Sequence, residues 1–174
     1  MHRQLADFAR RSQLSLNQAC IELLKKNLYG SDGETQLLQK IYEPAQKLKQ
    51  HFGEKLCGII LFGSQVTGKA TSESDIDLMI ILDKSMPIER GLYKWWDDNI
   101  VWNEKNMLNP HFVNILEDEK LAGGLWLEIA TTGKVIYQKK TVLDKLFAKL
   151  KELIGNGEVR MYISNGHPYW VWKS

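Results

Sequence analysis

Two apolar runs, LCGIILF at 56–62 and IDLMIIL at 76–82, stand thirteen residues apart, and this spacing constrains the fold more than any other feature. Both are short, rich in Ile and lack polar alternation, as expected of strands buried on both faces. The linking segment, GSQVTGKATSESD, opens with a Gly-Ser pair and contains a second Gly at 68. Only TSES lies between Ala70 and Asp75, which leaves no room for the long crossover helix of a parallel βαβ unit.

The linking segment admits two nucleotide-binding readings. Gly63, four residues, then Gly68-Lys69 nearly spells a P-loop. A P-loop needs Ser or Thr directly after the lysine to hold magnesium, and then a helix whose amides face the phosphates. Ala70 stands at that position and no long helix follows, so this reading fails. In the second reading, Asp75 and Asp77 are spaced i, i+2 along a strand and project from one face, where two carboxylates can grip a divalent cation. Magnesium is bound through few carboxylates together with nucleotide phosphates. Two like charges held so close repel and call for a cation nearby. Gly63 and Ser64, at the end of the preceding strand, would bring backbone amides and a hydroxyl to a triphosphate.

The stretch GSQVTGKATSESDID resembles the signature of the DNA polymerase β-type nucleotidyltransferase superfamily, in particular its minimal prokaryotic members. Gly63, Ser64, Gly68, Ala70, Ser74, Asp75 and Asp77 occupy the positions of that signature, and the resemblance extends over residues 35–138. It implies an α+β fold with a mixed sheet flanked by helices. It also implies a magnesium-bound nucleoside triphosphate, ATP by preference, and transfer of its nucleoside monophosphate with release of pyrophosphate. Ser64 and the backbone of Gly63 would hold the triphosphate, aided by Gly68, Lys69 and Ser74, while Asp75 and Asp77 would hold the metal. The acceptor would be a hydroxyl of a protein, an RNA or a small molecule.

The family also carries a third carboxylate on the next strand, read here as HFVNIL at 111–116, and the position expected to match it is Asn114. An amide lends a cation an oxygen but no charge, and it takes no proton at neutral pH. Three alternatives stand: Glu117 or Asp118 compensates from the strand end, His111 serves as base, or the domain is a catalytically weak regulatory partner.

The remaining chain is expected to supply flanking helices. Leu37, Ile41, Ala45, Leu48 and Phe52 form a helical stripe that Pro44 should kink or split. Residues 117–132 read as a helix, KVIYQ as a further strand, and Thr141–Ile154 as an amphipathic helix followed by an aromatic tail with a turn near Asn165-Gly166. Residues 83–110 show no clean period and are read as partly helical. Trp95, Trp96, Trp102, Trp170 and Trp172 are expected to pack rather than to bind ligand. LYGSDGET at 28–35 reads as a linker. Residues 1–30 would then be a helical module, 33–140 the nucleotidyltransferase domain and 141–174 a C-terminal helix and tail.

Within the first module, LADFARRSQLSLNQACIELLKK is similar to the two helices of ribbon-helix-helix antitoxins. No strand precedes them after Met1-His2, so self-association, and thus a homo-oligomer, is expected rather than DNA reading. The resemblance also implies a cognate toxin or antitoxin as partner. The composition excludes little else: 174 residues, 44% hydrophobic, 25% charged and a net charge of +2 describe an ordinary globular chain without a strongly basic surface. Cys20 and Cys57 form no disulfide or metal pattern, which suggests a reducing cytoplasm. With no apolar run near ~20 residues, neither a membrane span nor a signal peptide is expected.

Overall fold

The structure, a computed structural model, describes residues 32–164 and 167–173. The expected helices of residues 1–30 lie outside the described residues. The chain divides into two compact units, Met1–Glu43 and Pro44–Ser174. Helix α1, Asp32–Phe52, begins in the first and ends in the second, with Pro44 inside it. The expected split at Pro44 does not occur. Proline removes one backbone donor to the carbonyl four residues earlier, and the helix runs on past that loss.

The second unit is built on a four-stranded sheet of order β3-β2-β1-β4, formed by β1 (Leu56–Phe62), β2 (Ile76–Leu82), β3 (Leu108–Asn114) and β4 (Lys134–Gln138). β1 is buried throughout, and in β2 only Asp77 is less than fully buried, as their unbroken apolar runs require. β2 and β4 pair antiparallel with β1, whereas β3 pairs parallel with β2. A single helical turn, α2 (Ser64–Thr67), joins β1 to β2. The four-residue α2 ends before Lys69 and is not the phosphate-facing helix that a P-loop at Gly63–Lys69 would need. The parallel pair β2–β3 is joined by a crossover carrying α3 (Arg90–Asn99), the helix that residues 83–110 left indistinct.

One face of the sheet is covered by α4 (Gly124–Thr132) and α5 (Val142–Gly155). Ile60, Met79 and Ile81 pack there with Leu127, Leu143 and Leu150, all fully buried. Gly58 permits close approach on that side, since a Cβ on it would lie 2.5 Å from Leu143 Cδ1. On β3, Phe112 is ringed by Phe52, Tyr93 and Trp96 at centroid distances of 6.1, 5.1 and 6.3 Å. Trp95 stacks on His51 at 4.0 Å, so these tryptophans pack as expected.

Two sequence expectations shift. The helix expected over 117–132 begins only at Gly124, after a 3-10 turn at Glu119–Leu121. Gly123-Gly124 disfavours helix, and Leu121, placed on the buried stripe by its spacing, is 71% exposed. The aromatic tail is a hairpin, β5 (Val159–Ser164) with β6 (His167–Trp172), in keeping with the turn expected between them, and its Trp170 and Trp172 pack against the core as expected. Strand β3, expected from His111, starts three residues earlier at Leu108. Pro110 lies inside it, which is tolerated because, among the described residues, β3 is an edge strand with β2 as its one partner.

Candidate active site

The early start of β3 decides which side chains meet. In the parallel register Asp77 lies opposite Asn109, Met79 opposite His111 and Leu82 opposite Asn114. Residues two apart share a face, so Asp77, Met79 and Ile81 look the same way, and Asn109 and His111 look that way beside them. The carboxylates therefore sit at the end of the sheet face that α4 and α5 cover farther along. Asp75 precedes β2 in an exposed position, while the Asp77 side chain is 27% exposed.

Asn109 Nδ2 donates to Asp75 Oδ2 at 3.2 Å. His111 Nε2 lies 3.6 Å from Asp77 Oδ1, and its ring meets the Phe62 ring edge-on at 5.1 Å. Gly63 closes the site from β1. Its φ of 76° and ψ of −149° suit glycine alone, and a Cβ on it would stand 2.6 Å from Asp77 Oδ2. A side chain here would thus occupy the space directly against the carboxylate.

The remaining signature residues shape the connection. Ser64 begins α2, whose turn is closed by Val66 and Thr67 amides donating to Gly63 O, each at 3.3 Å. Gly68 ends that turn in the left-handed region at φ 70°, with nothing within 4 Å of where its Cβ would be. Ser74 Oγ accepts from Thr71 N at 2.9 Å, which makes it a turn-forming side chain. Lys69 is exposed. Gln65 Nε2 donates to Ser74 O at 3.2 Å and to Asp75 O at 3.4 Å, and Asn106 Nδ2 donates to Ser74 O at 2.5 Å. Sequence reasoning missed Gln65, Asn106 and Asn109, because amides carry no motif and only the register brings them in.

Asn114 is not part of this group. Five residues along the ladder from Asn109, at ~3.3 Å per residue, it stands at the opposite end of the sheet. There its Nδ2 donates to Asp83 O at 3.0 Å and Met86 O at 2.8 Å. The expectation that Asn114 fills the third-carboxylate position is corrected by this register. Glu117 and Asp118 belong to the same far end: Glu117 pairs with Lys84, and Asp118 accepts from Lys120 N at 2.9 Å. Of the residues considered for that third position, the structure brings only His111 to the carboxylates.

Two carboxylates and the amide of Asn109 form an oxygen-rich donor set that suits magnesium better than a thiolate- or imidazole-preferring metal. The space that a Gly63 Cβ would fill keeps the Asp77 carboxylate approachable from β1. The residues therefore fit a magnesium ion, which Asp75 and Asp77 would hold. Among the described residues no group of three or more His, Cys, Asp or Glu is placed to hold a metal.

A mixed sheet that carries a carboxylate pair beside a Gly-Ser turn has the architecture of a nucleotidyl-transferring domain. The polymerase beta nucleotidyltransferase family matches residues 45–142, more than half of the sequence, and the chain belongs to that family. It is also 51% identical over 45 residues to a candidate protein adenylyltransferase of Methanocaldococcus jannaschii, a stretch covering 26% of this chain and 30% of that relative. The match thus spans less than a third of the relative's length.

Solved structures with a similar outline include a toxin–antitoxin crystallised with AMP-PNP, at 19% identity and TM-score 0.43 over 70% of this chain and 89% of that one. A candidate nucleotidyltransferase of Sulfolobus solfataricus gives 12% identity and TM-score 0.44 over 60% and 83%. The complex of a tri-AMPylated Shewanella oneidensis HEPN toxin with its MNT antitoxin gives 17% and 0.42 over 70% and 89%. At these scores the likenesses add nothing to the family assignment. No described helix is long and apolar enough to cross a membrane.

Proposed function

We propose that this chain transfers the nucleoside monophosphate of ATP to a hydroxyl of a protein, with Asp75 and Asp77 holding the magnesium that accompanies the nucleotide. The observation that carries this reading is the convergence of Asp77, Asn109, His111 and the bare Cα of Gly63 at one end of the sheet. In the reaction the acceptor oxygen bonds to the α-phosphorus, and the bond from that phosphorus to the β-phosphate oxygen breaks. Pyrophosphate leaves and the acceptor's proton passes to solvent. When bound, magnesium supplies neutralisation of the phosphate charge.

The chain's own part is positioning. Asp75 and Asp77 fix the cation, Ser64 and the Gly63 backbone receive the triphosphate, and Asn109 orients the Asp75 carboxylate. Transfer of this kind asks the protein chiefly for placement and charge stabilisation. The identity shared with a candidate protein adenylyltransferase supports ATP and a protein acceptor. The likeness of residues 5–26 to antitoxin helices supports a cognate toxin or antitoxin as that acceptor.

One observation favours a second reading. The side chain opposite Asp77 on β3 is the neutral Asn109, so the site has two carboxylates to organise cation and acceptor, and a slow or regulatory nucleotide-binding role follows. Labelled ATP, supplied with magnesium and extract of the native host, distinguishes the two. Label incorporated into protein that is lost on Asp75→Asn establishes transfer. Magnesium-dependent ATP binding without incorporation establishes the regulatory role, and no binding at all refutes both.

A further inference from the structure

The segment that carries Asp75 has no regular structure, yet side-chain amides from two separate elements grip its backbone. Ser74 O accepts from Gln65 Nε2 of α2 at 3.2 Å and from Asn106 Nδ2 of the α3–β3 connection at 2.5 Å. A carbonyl oxygen has two lone pairs, and both are engaged from outside the segment. Gln65 also reaches Asp75 O at 3.4 Å, and Asn106 also reaches Ser72 O at 3.3 Å.

Asn106 is itself held. Trp102 Nε1 donates to Asn106 O at 2.6 Å, and one residue on, Met107 O accepts from Ile76 N at 2.8 Å. The part-buried Trp102 indole thus fixes the backbone of Asn106, whose side chain fixes the Ser72–Ser74 backbone, which aims Asp75. The outer pair Lys105–Glu73, 3.8 Å apart and exposed, adds little.

We infer that Asn106 is a positioning residue for the nucleotide-borne cation: with Trp102 behind it and Gln65 opposite, it holds the Asp75 carboxylate where the cation is received. This rests on the reading of Asp75 and Asp77 proposed above. Groups that orient a metal ligand without touching the metal typically contribute 10–100-fold in affinity, and a clamp on the ligand's own backbone acts in the same way. Its signature differs from that of a structural hydrogen bond. Weakened cation uptake is recoverable by mass action, whereas a misfolded site is not.

The test uses the full chain with manganese(II) and a non-hydrolysable ATP analogue, following bound manganese by its electron paramagnetic resonance signal. Transfer rates are measured in parallel across a manganese series. For Asn106→Ala, manganese–nucleotide affinity is expected to fall about tenfold, while transfer at saturating manganese returns to near the parent rate. Trp102→Phe, which removes only the indole donor, is expected to shift affinity the same way by less, with little further loss when combined with Asn106→Ala. Unchanged affinity in both variants overturns the inference. So does a loss of transfer that excess manganese does not restore and that follows a fall in melting temperature. A parent protein that takes up no manganese with nucleotide overturns the reading of the site itself, and this inference with it.

Discussion

At one end of the β2–β3 ladder Asn109 donates to the Asp75 carboxylate, and at the other Asn114 donates to the main-chain carbonyls of Asp83 and Met86. The two asparagines share a strand and a chemistry, and they differ in what their amides are spent on. Asn114 ties the exit of β2 to the chain that leads into α3. The acids around it are balanced by lysines: Asp83 meets Lys55 at 3.6 Å and Glu117 meets Lys84. At the near end Asp77 faces His111, and Gly63 leaves its carboxylate approachable. Residue type thus does not separate site from scaffold along this ladder. Register does.

The sharpest way to break the comparison is to exchange charges between its ends. Asp77→Asn is expected to lower transfer by on the order of 10³-fold, since a cation contributes several kcal/mol of charge stabilisation in the transition state. Asn114→Asp is expected to leave transfer per folded molecule unchanged. It would instead destabilise the fold by about 1–3 kcal/mol, because a carboxylate would face two carbonyl oxygens that now receive hydrogen bonds. Single-turnover transfer and urea unfolding of both variants check this. A gain of transfer in Asn114→Asp would show that the two ends communicate.

A smaller effect separates two glycines of one turn. Both Gly63 and Gly68 have positive φ, so alanine costs about 1–2 kcal/mol of backbone strain in the left-handed region at 68 and about 1–3 kcal/mol in the glycine-only region at 63. Only at 63 would the new methyl meet a carboxylate oxygen, at 2.6 Å; at 68 nothing lies within 4 Å. Gly63→Ala is therefore expected to lose both stability and magnesium-dependent ATP affinity, and Gly68→Ala stability alone. Calorimetric titration beside thermal melting measures the two quantities, and equal affinity losses would refute a special role for the space at Gly63.

Much of this was legible in the sequence because it is local. The unbroken apolar runs identify β1 and β2, and the Gly-Ser turn and carboxylate pair lie within fifteen residues, Gly63 to Asp77. The third strand was not legible to the same degree. Residues 83–110 show no clean period, Pro110 lacks the N–H of an inner strand, and nothing in the sequence says that this strand lies at the sheet edge, where a missing N–H is tolerated. Starting it at His111 drew attention to Asn114 and away from Asn109. The amides of Gln65 and Asn106 were invisible for a related reason, since their partners are backbone carbonyls 9 and 32 residues away. Leu121 misled in the opposite sense: its spacing fits the α4 stripe, but Gly123-Gly124 stop the helix before reaching it.

The smallest expected effect tests whether the far end is scaffold alone. Ser85 Oγ donates to Asp83 Oδ1 at 2.6 Å and Ser85 N donates to it at 3.0 Å. These two hydrogen bonds, the side-chain one foremost, hold the Asp83 carboxyl below its ordinary value, helped by Lys55. A carboxyl depressed in the folded state binds fewer protons there than in the unfolded chain. Its contribution to stability is therefore present above the ordinary carboxylate value near ~3.9 and is lost as pH falls through the lower, folded one. Ser85→Ala removes the foremost cause, so a little stability is expected to be lost at neutral pH, where that contribution is fully present, and the acid limb of unfolding to move slightly toward higher pH, with no loss left below the folded value. Acid titration followed by circular dichroism reads the shift. Manganese–nucleotide affinity measured on the same variant should equal the parent's, because Ser85 touches nothing at the Asp75–Asp77 end. An affinity change as large as that of Asn106→Ala would mean that the β2–β3 ladder transmits strain from one end to the other, and the division between site and scaffold drawn from the two asparagines would fail.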